Sequence, residues 1–239
     1  MDNAHDPIGH AIADYHNNGK AAKLRVFSPM FDEDEIPVKT LFRPLEEMPA
    51  IEQEALRLAR GNILDVGAGA GCHALALQQM GKRVTAIDIS PLAVATMRHR
   101  GVADAREQDF FTLAGKYDTI LMLMNGIGIV GTLSRLPAFF MQVDSLLTDG
   151  GMVLCDSSDL CYLYEDEDGI IDLTGIDGYY GELTYSMQYK SIKGAPFPWL
   201  FIDPETLIEQ ARAHGFEADI ISRGDHYDYL ARIIRPCAR

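Results

Sequence analysis

Apolar and polar residues alternate in short blocks from about residue 61 onward, a pattern typical of strands that alternate with helices. The pattern predicts strands over residues 62–66, 83–88, 104–108, 117–124 and 151–156, and helices over 71–80, 90–100, 133–147 and 203–214. Ser90 followed by Pro91 marks the start of one of these helices. Strands joined through helices run parallel with right-handed crossovers, so we expect an α/β fold with a doubly wound, mostly parallel sheet.

The two flanks of this region have different patterns. In the first sixty residues we expect a short helix near residues 10–15 that ends at Asn17-Asn18-Gly19, an acidic loop over 31–37 and a helix over 44–59. Farther on, apolar residues alternate over 181–189, and a second extended run covers 196–203. This spacing predicts a β-hairpin inserted before the last helix.

One run of residues carries most of the chemical information: Asn62-Ile63-Leu64-Asp65-Val66-Gly67-Ala68-Gly69-Ala70-Gly71. A strand leads into a glycine-rich turn, a helix follows, and the next strand ends at Asp88. This is the βαβ pattern of a nucleotide-binding half-sheet, and it indicates a cofactor that contains adenosine. At Gly67 and Gly69 a Cβ would occupy the space of that cofactor.

The glycine spacing distinguishes between cofactors. A nicotinamide dinucleotide site requires Gly-x-Gly-x-x-Gly, but here Cys72 stands where the third glycine of that pattern would fall. Asp65 also lies within the strand, where its charge would repel a diphosphate and attract an ammonium group. The turn therefore favours a zwitterionic cofactor without phosphates.

Residues 63–71 resemble the first motif of the class I S-adenosylmethionine-dependent methyltransferases, and Asp88 matches the acid at the end of their second strand. The resemblance implies a Rossmann-like methyltransferase fold with a seven-stranded sheet, closed by an antiparallel pair over 216–223 and 227–235. It implies an N-terminal helical cap over residues 1–60 and a methyltransferase domain over 61–239, with the hairpin inserted at about 160–202. The implied cofactor is S-adenosyl-L-methionine.

The resemblance also implies cofactor-binding residues. They are Asp65, Gly67, Ala68, Gly69, Asp88, Ile89, Asp109, Phe110 and Asn125. In this interpretation Asp88 accepts hydrogen bonds from the ribose hydroxyls, and Asp109 accepts one from the adenine amino group. Phe110 and Ile89 cover the two faces of the ring, and Asn125 lies at the mouth of the sheet.

Charge and composition restrict the acceptor. The chain of 239 residues has a formal net charge of −14 and no basic patch, which disfavours nucleic acid as a partner. The loop over 125–131 differs from the Asn/Asp-Pro-Pro-Tyr motif of many methyltransferases that act on amino groups of nucleobases or glutamine. We therefore expect a small-molecule acceptor, with the attacking atom and the oligomeric state left open.

Other features of the sequence bear on metal sites and location. The four cysteines, Cys72, Cys155, Cys161 and Cys237, form no Cys-x-x-Cys pair, so we expect reduced thiols and no metal site. No apolar run reaches the ~18 residues of a membrane span, and the N-terminus lacks a signal pattern, which predicts a cytoplasmic protein without membrane association.

The predicted reaction is in-line displacement of the methyl group by a nucleophile of the acceptor, in which a general base is optional. The candidate catalytic residues are Asp156, Asp159 and Asn125. For His73 we favour a local hydrogen bond, and Arg43 is a candidate partner of the cofactor carboxylate or a member of a surface ion pair. The candidate residues to line an aromatic pocket for the acceptor are Tyr162, Tyr164, Tyr179, Tyr180 and Trp199.

Two alternative functions are consistent with the sequence. One is a regulator that binds S-adenosylmethionine without catalysis. The other is a nicotinamide-dependent oxidoreductase, which Asp65 and Cys72 disfavour.

Overall fold

The computed structural model describes residues 3–236, and this part of the chain contains six α-helices and twelve strands. The helices are α1 (Pro7–Asn18), α2 (Ala50–Leu58), α3 (Cys72–Gln79), α4 (Pro91–Arg100), α5 (Leu136–Leu146) and α6 (Pro204–Ala213). The strands are β1 (Leu24–Ser28), β2 (Phe31–Ile36), β3 (Asn62–Val66), β4 (Arg83–Asp88), β5 (Ala105–Glu107), β6 (Tyr117–Met122), β7 (Leu147–Ser158), β8 (Glu182–Tyr189), β9 (Ile192–Lys193), β10 (Phe197–Leu200), β11 (Glu217–Arg223) and β12 (Asp228–Ile234).

Seven of these strands form the central sheet in the order β11-β12-β7-β6-β3-β4-β5. Strands β3 to β7 are parallel to one another, whereas β12 runs antiparallel to both β7 and β11. The order reverses between β3 and β6, and open α/β sheets bind ligands at the carboxyl ends of strands beside such a reversal. The predicted doubly wound, mostly parallel, seven-stranded fold is confirmed.

The core fills both faces of this sheet. On one face, Phe139 and Val143 of α5 and Leu207 of α6 are fully buried against the strands. On the other face, Leu56 of α2 and Leu77 of α3 are equally buried. Strands that are covered on both sides consist of nearly continuous apolar residues, which explains why the sequence pattern located them.

Side-chain caps fix the starts of two helices as the sequence predicts. The Ser90 hydroxyl accepts a hydrogen bond from the Ala93 N–H at 3.0 Å, and the Asp203 carboxylate accepts one from the Thr206 N–H at 2.9 Å. In both helices a proline occupies the first turn, where its missing N–H costs nothing.

A second sheet combines the two ends of the chain. The predicted hairpin is present, since β8 pairs antiparallel with β10. The other edge of β8 pairs with β1, and β2 pairs with β1, so the N-terminal segment extends the hairpin. The structure overturns the predicted acidic loop over residues 31–37, because residues 31–36 form edge strand β2.

The charges of β2 have cross-strand partners, which explains why this acidic run is extended. Glu35 pairs with Lys23 at 2.9 Å, and Glu33 forms a two-pronged ion pair with Arg25 on β1. Charged side chains suit an edge strand, since they face water and discourage further pairing.

The helix expected over residues 44–59 is also shorter than predicted. A single 3-10 turn covers Leu45–Glu47, and α2 begins only at Ala50. Pro49 explains the break, because within a helix its ring would clash with the carbonyl of the residue four positions earlier.

None of the helices in the described part of the chain has the length and apolar character that a membrane-spanning helix needs.

Gly71 provides a test of the turn between β3 and α3. Its φ is +81°, and a Cβ there would lie 2.9 Å from Val102 Cγ2 and 3.0 Å from Met97 Cγ. Gly71→Ala should lower the free energy of unfolding by ~1–2 kcal/mol through backbone strain and by a further ~1–3 kcal/mol through overpacking. Urea unfolding measures the change.

Gly81→Ala is the matched control, because Gly81 has a φ of +73° and a Cβ there meets no described atom within 4 Å. In this variant the free energy of unfolding should fall only by the contribution of backbone strain. Equal losses in the two variants would show that Gly71 is not required for packing.

Candidate functional site

The turn between β3 and α3 holds three glycines in the left-handed region, with φ of +68° at Gly67, +55° at Gly69 and +81° at Gly71. Their surroundings differ. A Cβ on Gly71 would collide with the core, whereas a Cβ on Gly67 would meet no described atom within 4 Å. The Ala68 N–H donates to Ile87 O at 3.0 Å, which fixes the turn against β4. Gly71 thus serves packing, and Gly67 borders open space.

Asp88 ends β4 beside this turn. Its carboxylate accepts hydrogen bonds from the Gly69 N–H at 2.9 Å and from the Ser90 N–H at 2.8 Å. Burial raises the pKa of Asp88, while these N–H groups and that of Ile89 oppose the shift. A carboxylate has about four acceptor positions, so these three backbone N–H groups still leave acceptor capacity for a ligand.

The N-terminal segment reaches the same place. The Ser90 hydroxyl donates to Asp6 Oδ2 at 2.5 Å, and Asp6 in turn caps α1 by accepting from the Gly9 N–H at 2.8 Å. Asp6 is fully buried. The start of α1 is therefore connected through Ser90 to the carboxylate that ends β4.

A cleft of about 220 Å³ lies at the ends of β3, β4 and β5. Five of the predicted residues line it: Gly67, Asp88, Ile89, Asp109 and Phe110. The lining also includes Gln108, Phe111, Ile129 and Arg135, which the sequence analysis does not identify. The Arg135 guanidinium lies 4.7 Å from the centre of the Phe111 ring. This apolar slot with polar ends suits a flat, heteroaromatic ligand.

Asp65 lies deeper, at the end of β3, and is 1% exposed. Burial raises its pKa to about 6, His73 opposes the shift, and Asp88 reinforces it. The Ala74 N–H donates to the Asp65 carboxylate. Asp65 Oδ2 is buried and finds no hydrogen-bond donor among the residues that the structure describes. A buried acceptor without a donor is costly, which indicates a cationic partner for Asp65.

A buried ion-pair network adjoins Asp65. His73 Nε2 lies 2.8 Å from Glu52 Oε2, and Arg43 Nη2 contacts both oxygens of Glu52. His73 thus forms a hydrogen bond with a residue of α2, so the prediction of a local hydrogen bond for His73 is wrong. Arg43 is in a buried ion pair rather than a surface one, and its Nε has no acceptor within residues 3–236.

The charges of this network depend on one another. Burial disfavours the Glu52 carboxylate, but His73 and Arg43 together hold its pKa below the usual value. Burial also disfavours a charged His73, yet Glu52 and Asp65 raise its pKa above the usual value. The arrangement favours a protonated imidazole between two carboxylates.

The loop after β6 contains two residues in a rarely occupied backbone conformation, Met124 with φ of +64° and Asn125 with φ of +55°. Asp156, at the end of β7, accepts hydrogen bonds from the N–H groups of Met124 at 3.0 Å and Gly126 at 3.2 Å. The Asn125 amide oxygen accepts one from the Ser158 hydroxyl at 3.1 Å. Such strain persists only where the surroundings impose it, and Asp156 supplies that support here.

The aromatic candidates separate into groups. Tyr179 and Tyr180 pack with ring centres 4.8 Å apart, and Tyr164 lies 6.2 Å from Tyr180. Tyr162 instead stacks on Tyr227, and Trp199 packs against Gly128, where a Cβ would lie 2.0 Å from the Trp199 Nε1. Tyr164, Tyr179 and Tyr180 therefore form one ring cluster, whereas Tyr162 and Trp199 pack on other partners.

Asp159 is part of the tyrosine group. It accepts hydrogen bonds from the Tyr180 hydroxyl at 2.7 Å and from the Cys161 N–H at 2.9 Å. The Tyr179 hydroxyl donates to Asp203 Oδ2 at 2.6 Å. Asp159 and Asp156 are both engaged with groups of the protein itself, so the geometry favours positioning over proton transfer for each.

Within residues 3–236, no group of three or more histidine, cysteine, aspartate or glutamate side chains is arranged to hold a metal ion. Cys72 and Cys155 are free and buried, and Cys161 is free and half-buried. Cys237 lies outside the described residues.

Asp156 gives a pH-dependent stability prediction. Its pKa in the folded protein is about 7, chiefly because of burial and with Glu52 adding to the shift, against 3.8 for an ordinary aspartate. The unfolded chain therefore loses this proton at a lower pH than the folded protein does. As a result, the contribution of Asp156 to stability falls as the pH rises from about 4 to about 7, by about 1.4 kcal/mol for each unit of raised pKa.

Asn has no proton to lose, so Asp156→Asn should remove this slope. The free energy of unfolding of the wild type minus that of the variant should decrease between these pH values. Urea unfolding at several pH values measures both, with the exposed Asp149→Asn as control. Parallel pH curves for wild type and Asp156→Asn would contradict the assignment.

Comparison with known proteins gives the family. A family model described as a methyltransferase domain matches residues 63–151. The chain is also similar to a solved structure of a SAM-dependent methyltransferase from Bacteroides fragilis in complex with S-adenosyl-L-homocysteine. The two share 56% sequence identity and a TM-score of 0.93, over 98% of this chain and 97% of that chain.

More distant structures share the fold alone. A DhpI-SAM-HEP complex is 23% identical with a TM-score of 0.57, over 78% of this chain and 84% of that chain. The sugar N-methyltransferase KedS8 from Streptoalloteichus sp. ATCC 53650 is 16% identical with a TM-score of 0.54, over 82% and 87%. The extent of the match to the Bacteroides fragilis protein is decisive: this chain belongs to the S-adenosylmethionine-dependent methyltransferases, and its cofactor is S-adenosylmethionine.

Proposed function

We propose that this methyltransferase acts on a small molecule. In the proposed reaction a nucleophilic atom of the acceptor forms a bond to the methyl carbon as the carbon–sulfur bond breaks, and the electron pair of that bond stays on sulfur. The family assignment removes the nicotinamide-dependent oxidoreductase from consideration. The observation that carries the small-molecule proposal is the covered mouth of the central sheet.

Two elements cover this mouth. Helix α1 packs on α4 and on β8, and its Ile12 lies 3.9 Å from where a Cβ on Gly69 would be. On the other side, β10 packs against the 3-10 turn Gly126–Val130, with Trp199 directly on Gly128. A polymeric acceptor needs an open groove at this place, so the covering elements favour a compact acceptor. The net charge of −14 disfavours a nucleic-acid acceptor in addition.

The residues present fit the cofactor. The apolar slot between Ile89 and Phe110 is of the kind that holds an adenine ring, and Asp109 lies on its rim. Asp88 has acceptor capacity for the ribose hydroxyls, and Gly67 leaves room for the ligand where any Cβ would intrude. Asp65 offers its unpartnered oxygen to the ammonium group. We assign Ala68, Gly69 and Asn125 to the turn and loop that border the ligand.

The chemistry does not depend on a dedicated base. S-adenosylmethionine supplies a methyl group on a sulfonium, which is an excellent leaving group. Alignment of the acceptor can then supply much of the reduction in the barrier, up to ~7–11 kcal/mol. The residues of this chain would bind and orient the acceptor and exclude water, with Asp156 holding the loop that contains Asn125.

A regulator that binds the cofactor without catalysis is the second candidate. Transfer of a labelled methyl group to any member of a panel of amines, hydroxy compounds and thiols would exclude it. Tight cofactor binding with no transfer to any acceptor class would favour it. The cytoplasmic location stays a prediction.

Cofactor binding can be tested at Asp88. Saturating S-adenosylmethionine should raise the melting temperature of the wild type, because the ligand binds only the folded protein, while NAD should not. Asp88→Ala should reduce the calorimetric affinity for S-adenosylmethionine at least ~10-fold, the value of one charge-assisted hydrogen bond. An unchanged affinity would refute the role of Asp88.

Gly67 gives a sharper test, because Gly81 has nearly the same backbone strain far from the site. Gly67→Ala and Gly81→Ala should lower the free energy of unfolding by similar amounts of ~1–2 kcal/mol. Only Gly67→Ala should lose affinity for S-adenosylmethionine by isothermal titration calorimetry. Equal affinities in the two variants would place the cofactor elsewhere.

A further inference from the structure

The Arg43–Glu52–His73 network ends at two unpartnered buried atoms of opposite character. One is Asp65 Oδ2, an acceptor, and the other is Arg43 Nε, a donor; neither has a partner among the described residues. Arg43 is 9% exposed in its side chain and Asp65 is 1% exposed. A ligand that satisfies both must carry a positive donor group and a negative acceptor group, as the two ends of an α-amino acid do.

Glu52 and His73 connect these two atoms. The Glu52 carboxylate pairs with the guanidinium of Arg43. It also lies 2.8 Å from His73 Nε2. Glu52 and His73 are 4% and 5% exposed, so water does not substitute for either contact. Because each charged group stabilises its neighbour, a substitution at Glu52 or His73 should affect both Asp65 and Arg43.

We propose that Glu52 and His73 are positioning residues that hold Asp65 and Arg43 for the ammonium and carboxylate groups of the amino-acid end of the cofactor. This inference rests on the proposed cofactor site. Neither residue belongs to the glycine-rich motif, and Glu52 comes from the N-terminal segment. Their effect is specific to one end of the ligand and leaves the adenosine end unaffected.

The charges around Asp65 support this role. The protonated His73 and the Ala74 N–H favour the ionised form of Asp65, whereas burial and Asp88 raise its pKa to about 6. The other charged groups that face His73 are Arg43, Glu52 and Asp156. Loss of the imidazolium would therefore raise the pKa of Asp65 further and leave it protonated nearer to neutral pH.

Ligands that differ in the amino-acid end provide the test. Isothermal titration calorimetry at neutral pH compares the wild type with His73→Asn and Glu52→Gln, and with the exposed His226→Asn as control. S-adenosylmethionine and S-adenosylhomocysteine should bind both network variants about 10-fold or more weakly. 5′-Deoxy-5′-methylthioadenosine, which lacks the amino-acid end, should change less than ~2-fold, a difference of under ~0.5 kcal/mol.

A pH series adds a readout that a purely structural role would not change. In the wild type the affinity for S-adenosylmethionine should rise as the pH increases through about 6, where Asp65 ionises. In His73→Asn this midpoint should move to higher pH, and in Asp65→Asn the step should disappear. Methylthioadenosine should show no such step in any variant.

The outcomes separate this inference from the proposed function. Equal losses for all three ligands, or no loss for any, would overturn the positioning role while the cofactor site stands. Failure of the wild type to bind S-adenosylmethionine would instead overturn the proposed site. Urea unfolding of each variant shows whether it folds. If His73→Asn does not fold, Glu52→Gln still provides the test, because it nearly preserves the shape of the side chain.

Discussion

Burial of negative charge at one edge of the central sheet is the constraint that the site depends on. Asp65, Asp88 and Asp156 lie at or within two residues of the ends of three strands there, and burial raises the pKa of all three. Glu52, in contrast, has the cationic partners His73 and Arg43, which hold its pKa below the usual value. An excess of buried carboxylates destabilises the folded protein until a cation neutralises it. S-adenosylmethionine carries an ammonium and a sulfonium, so binding at the site proposed above would couple the affinity for the cofactor to the stability of this edge.

The first sixty residues take part in this constraint. Asp6 joins the cap of α1 to the cap of α4 through Ser90, which also donates its N–H to Asp88. Arg43 and Glu52 provide the ion pair beside His73. The glycine-rich motif supplies the turn, but the residues that fix the charges next to it come from a segment that has no recognisable motif. In the proposed site, the affinity for the cofactor would therefore depend on both parts of the chain.

The sequence predicts those features that are encoded over a few residues. The apolar blocks locate the strands of the central sheet, because parallel strands covered on both faces must be apolar throughout. The chemistry of the turn locates Gly67 and Asp88 for the same local reason. Edge strand β2 is missed because its acidic residues are stabilised by Lys23 and Arg25, and pairings across strands leave no period in the sequence.

Partners that are distant in the sequence explain the remaining differences between the predictions and the structure. Strand β1 pairs with β8 across more than half of the chain, and His73 pairs with Glu52 across a helix and a strand. Nothing near His73 in the sequence identifies that partner. Arg135 likewise reaches the cleft only through the fold, and no local signal accompanies it.

In the proposed reaction, the geometry of Asp156 favours support of a loop over the removal of a proton. Both of its oxygens accept backbone N–H groups from a loop whose Met124 and Asn125 are held at positive φ. Strain of this kind costs ~1–3 kcal/mol for each residue, so the loop keeps its shape only while Asp156 holds it. A leaving group as good as a sulfonium gains more from exact alignment than from proton removal. In the proposed site, support of the loop by Asp156 is consequently more effective than removal of a proton by this buried carboxylate.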